Sequence, residues 1–153
     1  MKAIILHNIR SAYNVGSLLR TADAIGISKV YMTGYTPSPI DDFGKKRKDI
    51  SKVALGAEDS LDWQHHSSIS SLLNKLKKEK VQIIAIEQSE GAVDYKKVKS
   101  ESSCAFVLGN EVKGLSKSIL NKADIVAQIP MKGKKESLNV AVSAGIALFR
   151  ILD

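Results

Sequence analysis

At 153 residues, 44% hydrophobic and 25% charged, the chain has the length and composition of one compact globular domain able to bury a core. Its longest apolar runs, such as Val81 to Ile86, are strand-length and well short of the ~20 residues of a membrane-spanning helix. The single cysteine, Cys104, lies in an apolar run and excludes disulfide and multi-cysteine metal frameworks, while the net charge of +7 favours a polyanionic partner over an acidic one.

Lys2 to His7 reads as a buried first strand, and the chain turns polar at Asn8 too soon for a signal peptide, so the cytoplasm is the expected location. After a polar turn through Asn8, Arg10 and Ser11, a helix is predicted from Asn14. Val15, Leu18, Leu19, Ala22 and Ile25 recur at helical spacing, and Gly26 can close the helix in a left-handed cap. Asn14, Ser17 and Thr21 share a polar face, with Arg20 near it.

Ser28 to Thr33 reads as the second strand. Residues 34–63 form the longest irregular stretch, holding Pro37, Pro39 and the cluster Lys45-Lys46-Arg47-Lys48, and a loop of that length is expected to help hold the partner. Other lysines, such as Lys75, Lys77, Lys78 and Lys80, fall on a solvated helix, so the cluster is the better candidate for phosphate contact.

Ser67 to Lys80 reads as an amphipathic helix, Val81 to Glu87 as the third strand, Cys104 to Leu108 as the fourth, Ser116 to Asn121 as a short helix and Ala123 to Ile129 as the fifth strand. This alternation predicts an α/β fold, a mainly parallel sheet with helices on both faces, in a single domain over 1–153.

The fifth strand runs into Pro130, a basic loop (Lys132, Lys134, Lys135) and Ser137, placed where it could cap a long last helix. Open α/β sheets hold small ligands in such strand-end loops. That helix is apolar nearly all round, with Asn139, Ser143 and Arg150 as a thin polar line, and it needs cover on more than one side. A second copy of the chain could supply part of it.

Several chemistries are excluded. No two glycines are separated by one residue, so a dinucleotide fingerprint cannot be written, and in Gly109 to Ser116 a leucine, Leu115, stands where a P-loop needs lysine. No G-x-S-x-G elbow occurs, and His7, His65 and His66 lack a metal-ligand spacing, so no metal is expected.

Three segments combine glycines, polar residues and strand ends: Asn14-Val15-Gly16-Ser17-Leu18-Leu19-Arg20-Thr21-Ala22-Asp23-Ala24-Ile25-Gly26, Val107-Leu108-Gly109-Asn110-Glu111-Val112-Lys113-Gly114-Leu115, and Ile129-Pro130-Met131 running to Ser137-Leu138-Asn139-Val140. In order and chemistry they resemble the three motifs of the SpoU (TrmH-type) branch of the SPOUT RNA methyltransferases, over nearly the whole chain. The resemblance implies a parallel α/β sheet with a C-terminal trefoil knot, a homodimer, S-adenosylmethionine (SAM) as cofactor, and methyl transfer to a ribose 2′-hydroxyl of tRNA or rRNA.

Carried over residue by residue, Arg20 matches the catalytic arginine, Asn14 the motif asparagine and Glu111 the glutamate of the active-site hydrogen-bond network. Ser137 and Asn139 match the polar pair of the last motif. Leu108, Gly109, Ile129, Met131, Ser137 and Leu138 match cofactor-pocket positions, with Glu87 and Gln88 as weaker candidates from Ile84-Ala85-Ile86-Glu87-Gln88-Ser89, which resembles enzymes acting on a D-loop guanosine of tRNA. Ordinary core packing accounts equally well for Ile129 and Leu138, and helix capping for Ser137 and Asn14. The chain shows none of the RNA-binding extensions of many relatives, so RNA recognition is assigned to the dimer surface, Arg10, Lys45, Lys46, Arg47 and Lys48, with the lysines of the 132–135 loop in support.

The resulting expectation is a SAM-dependent RNA ribose 2′-O-methyltransferase with tRNA favoured. The alternatives are an rRNA enzyme, a catalytically idle RNA-binding dimer, and a small-molecule SAM enzyme.

Overall fold

The computed structural model describes residues 1–153. Seven strands, β1 (Lys2–His7), β2 (Lys29–Thr33), β3 (Trp63–His66), β4 (Gln82–Ile86), β5 (Val93–Asp94), β6 (Cys104–Leu108) and β7 (Ile125–Gln128), form one sheet in the order β3-β2-β1-β6-β4-β7-β5. Every neighbouring pair is parallel. The helices are α1 (Ala12–Ala24), α2 (Lys48–Ala54), α3 (Ala57–Ser60), α4 (Ile69–Lys78), α5 (Lys117–Lys122) and α6 (Val140–Leu152).

Side chains alternate across a strand, so each central strand feeds two cores. Ile4, Leu6, Met32, Ile84 and Phe106 point to one face, where Leu18 and Leu19 of α1 and Leu148 of α6 cover them. Ala3, Ile5, Tyr31, Ile83 and Val107 point to the other, under Leu72, Leu73 and Leu76 of α4 and Ile119 of α5. Burial on both faces is why these strands read as continuous apolar runs rather than alternating ones. The predicted α/β class, with helices on both faces of a parallel sheet, is the observed one.

In the register, Leu6 sits level with Met32 and Leu108. Because all strands run the same way, the turns after β1, β2, β4, β6 and β7 leave one edge of the sheet together. The three motif segments meet there.

Three expectations are corrected. Residues 34–63 are not one loop: they contain α2 and α3 and lead into β3. Ile50 and Ala54 of α2 and Ala57 of α3 are buried, and the helices are divided by Leu55 (φ 54°) and Gly56 (φ 93°), both left-handed, which leaves neither half long enough to show a helical period. Gly16 permits this packing, since a Cβ there would lie 2.7 Å from Ile50 O and 2.8 Å from Val53 Cβ.

Helix α1 starts two residues before Asn14, at Ala12, and is capped by Ser11, whose Oγ accepts the Asn14 N–H at 3.2 Å. Helix α6 is capped by Asn139 rather than Ser137: Asn139 Oδ1 accepts the N–H groups of Ala141 (2.9 Å) and Val142 (3.3 Å). No helix is long and apolar enough to cross a membrane.

Candidate active site

Three of the predicted residues form a single hydrogen-bonded line. Glu111, in the turn after β6, accepts the backbone N–H of Arg10 through Oε1 and that of Ser11 through Oε2, both at 2.9 Å. Asn14 Nδ2 donates to Glu111 Oε2 at 3.2 Å, and Asn139 Nδ2 donates to Asn14 Oδ1 at 3.1 Å. The line therefore runs from β6 through α1 to the first turn of α6, joining segments 97 and 125 positions apart in sequence. Asn14 is 6% exposed, and both ends of its amide are committed, which sets its orientation. Partial burial raises the Glu111 pKa, but the donated hydrogen bonds from Arg10, Ser11 and Asn14 outweigh it and hold the carboxyl below the usual range.

Beside this line lies a cleft between the turns after β4, β6 and β7. Ile86, Leu108, Ile129, Leu138 and Val140 supply apolar walls, and Glu87, Gly109, Glu136, Ser137 and Ser143 also line it. Its loops are braced. Gln88 Nε2 donates to Ile129 O at 2.6 Å, and Glu87 accepts the N–H of Leu115 (2.8 Å) and of Gln88 (3.0 Å). Gly114 (φ 64°) packs where any Cβ would strike the Glu87 carboxylate, and a Cβ on Gly109 would lie 2.7 Å from Leu115 Cδ2. Both glycines are thus required by the folding of the 109–115 turn onto its own strand end.

The cleft gathers Leu108, Gly109, Glu111, Ile129, Ser137, Leu138 and Glu87 from the expected set, but Met131 does not line it. Arg20 lies on the exposed face of α1, does not line the cleft, and has no ion-pair partner. In the basic cluster, Lys46 bridges Glu58 (3.0 Å) and Asp59 (2.9 Å) and Arg47 pairs with Asp49, whereas Lys45 and Lys48 carry unmatched charge. The sequence reading missed Asn110. Its Oδ1 accepts the N–H groups of Val112 (2.9 Å) and Lys113 (2.8 Å), and its Nδ2 donates to Asn8 O (3.0 Å) and to the Tyr35 hydroxyl (2.9 Å). The available signal was an asparagine opening a turn between two glycines.

The sequence profile of the SpoU rRNA Methylase family matches residues 1–149. The chain belongs to this family. Among its SpoU-family relatives, the chain is 34% identical over 145 residues to the 23S rRNA (guanosine-2′-O-)-methyltransferase RlmB of Neisseria meningitidis serogroup B, which covers 95% of this chain and 55% of that protein. The chain thus spans about half the length of that curated relative.

Two solved structures are similar throughout. The A. aeolicus TrmH/SpoU tRNA modifying enzyme superposes with a TM-score of 0.85 at 26% identity, covering 99% of this chain and 73% of that one. The AdoMet-bound rRNA methyltransferase from Sinorhizobium meliloti superposes with a TM-score of 0.85 at 27% identity, covering 98% of this chain and 55% of that one. The sheet described above is therefore the SpoU-family sheet, and the motif resemblance read from the sequence identified the right branch.

Proposed function

We propose that the chain transfers a methyl group from S-adenosylmethionine to a ribose 2′-hydroxyl of RNA. The observation that carries this reading is the Glu111-Asn14-Asn139 line, which fixes three separate segments against one cleft. The cleft fits the cofactor. Its apolar side chains would enclose an adenine, and the glycine-containing 109–114 turn presents main-chain groups at its wall. Glu136, exposed at the cleft, offers a charge for the ammonium of the amino-acid part. SAM, when bound, supplies an electrophilic methyl group on a sulfonium sulfur.

Transfer to an alcohol is an in-line displacement, so alignment and stabilisation of developing alkoxide charge are the protein's tasks. Glu111 is suited to alignment rather than proton removal, because its lone pairs already accept three donors and its basicity is lowered. Arg20 is an untethered cation on α1, and a guanidinium keeps its proton at ordinary pH. We assign it to gripping an RNA phosphate and stabilising charge, not to acting as the base. Ser137 and Ser143, at the cleft, remain to orient the incoming hydroxyl.

Residues 1–153 act in this reading as one domain working as a homodimer, with the knot of its family formed as the chain passes from β7 to α6. The exposed Val142, Ile146 and Phe149 of α6 support the dimer. RNA contact falls to Arg10, Lys45 and Lys48, with Lys46 and Arg47 holding the shape of their loop. We favour tRNA, in keeping with the tRNA modifying structural neighbour and with the Glu87-Gln88 turn that read as D-loop-guanosine-type. The 34% identity to an rRNA enzyme supports rRNA as the second reading.

The test is incubation with methyl-labelled SAM and unmodified total RNA, followed by size separation and mapping of 2′-O-methyl sites. Label at a tRNA position, lost in Arg20→Ala with SAM affinity retained, is the expected result. Label in rRNA selects the second reading, and no label on any RNA, with SAM bound, overturns the activity.

A further inference from the structure

On the other side of the turn that walls the cofactor cleft lies a second groove, lined by Arg10, Tyr35, Asn110, Glu111 and Lys113 among others. The two depressions share residues 110–113, so whatever sits in one is a single turn of chain from the other. The proposed reaction does not use Tyr35 or Lys113.

Tyr35 is held unusually firmly for an exposed aromatic residue. Its hydroxyl accepts from Asn110 Nδ2 at 2.9 Å, and its backbone N–H donates to Asn8 Oδ1 at 3.1 Å. Gly34, in the left-handed region at φ 63°, turns the chain into it. Thr36, 3% exposed, anchors the next residue by donating to Leu6 O at 2.7 Å and accepting the Ile9 N–H at 3.0 Å. The residue nonetheless stays 57% exposed. A flat surface whose ordering is complete before binding is what a stacking platform requires.

The electrostatics of the groove point the same way. Arg10 and Lys113 are exposed and have no ion-pair partner. The one acid, Glu111, has its carboxylate directed into the N–H groups of Arg10 and Ser11 and the amide of Asn14. The groove therefore offers two free cations beside a fixed aromatic face.

We propose that this groove seats an unpaired nucleotide of the RNA, its base stacked on Tyr35 and its phosphate between Arg10 and Lys113. The inference rests on the RNA reading above and deepens it. It makes Tyr35 a positioning residue that presents the strand to the cleft across the 110–113 turn. Stacking on an aromatic ring tolerates any base, so the groove supplies affinity and register rather than base identity.

The experiment measures binding of a short single-stranded oligoribonucleotide carrying 2-aminopurine, by fluorescence quenching, alongside SAM affinity and methyl transfer to total RNA. Tyr35→Phe keeps the ring and is expected to bind within about twofold of wild type. Tyr35→Ala is expected to lose about tenfold or more in RNA affinity, together with the quenching, while SAM affinity stays the same. Phe43→Ala, at a residue 88% exposed on the neighbouring loop, is expected to bind as wild type does.

Unchanged RNA affinity and quenching in Tyr35→Ala would overturn the proposal, as would a parallel loss of SAM affinity, which would make Tyr35 a brace for the 110–113 turn. A loss confined to Phe43→Ala would also overturn it, by moving the contact to the loop tip. In each of these cases wild-type methyl transfer to RNA would still stand. A wild-type protein that neither binds the oligonucleotide nor labels any RNA removes the RNA reading itself.

Discussion

At the scale of single residues, Asn139 carries two duties that can be separated. Its Oδ1 caps α6, and its Nδ2 donates to Asn14 Oδ1. Asn139→Asp keeps the cap, since aspartate is as good an N-cap and suits the helix dipole. It removes the donor and sets a carboxylate against the Asn14 carbonyl. Flipping the Asn14 amide gives no relief, because its carbonyl would then face Glu111 Oε2 in place of the donated bond. The expected outcome is stability within about 1 kcal/mol of wild type, SAM affinity retained and methyl transfer reduced at least tenfold. Thermal denaturation, SAM titration and the labelling assay check the three parts, and wild-type turnover in this variant would show that the line merely holds the fold together.

At the scale of elements, Gly16 ties a motif glycine to packing rather than to a ligand. Substituting alanine there adds about 1 kcal/mol of helix propensity but drives a Cβ to 2.7 Å from the Ile50 backbone carbonyl, which cannot rotate away. Overpacking of that kind costs about 1–3 kcal/mol, so Gly16→Ala is expected to be net destabilising by about 1 kcal/mol. A lowered thermal midpoint would show it, and an unchanged or raised one would mean that α2 yields easily.

The same helix pair shows what could be read in advance. The buried strands and α4 were legible because their apolar runs or helical spacing are long and uninterrupted. Helices α2 and α3 were hidden by the left-handed break at Leu55 and Gly56. Strand β3, with the polar sequence Trp63-Gln64-His65-His66 at the sheet edge, and the two-residue β5 carried no pattern of their own. Most residues of the cleft and its hydrogen-bonded line were legible through the motifs, whereas Arg20 and Met131 do not line the cleft. The bracing by Asn110 and Tyr35 was not, since it depends on contacts 75 residues apart in sequence.

At the scale of the whole molecule, α6 leaves an imbalance that one copy does not resolve. Its inner face is fully covered through Ala144, Ala147 and Leu148, whereas Val142, Ile146 and Phe149 are 50%, 39% and 52% exposed on the outer side. These three lie at spacings of four and three, one stripe along the helix, and α6 packs against α1, whose Tyr13 is itself 65% exposed. A stripe of this kind on a surface helix suits a self-complementary contact with a two-fold partner. The proposed homodimer buries it. Ile146→Glu sets a charge in the middle of the seam, where burial without a partner is unfavourable, yet in the separated copy the side chain stays near solvent and the inner core is untouched. Sedimentation is expected to show a dimer for wild type and a monomer for Ile146→Glu, with the thermal unfolding of the variant becoming independent of protein concentration. A variant that remains dimeric would place the interface elsewhere, and a wild-type monomer at micromolar concentration would leave the stripe to another occupant.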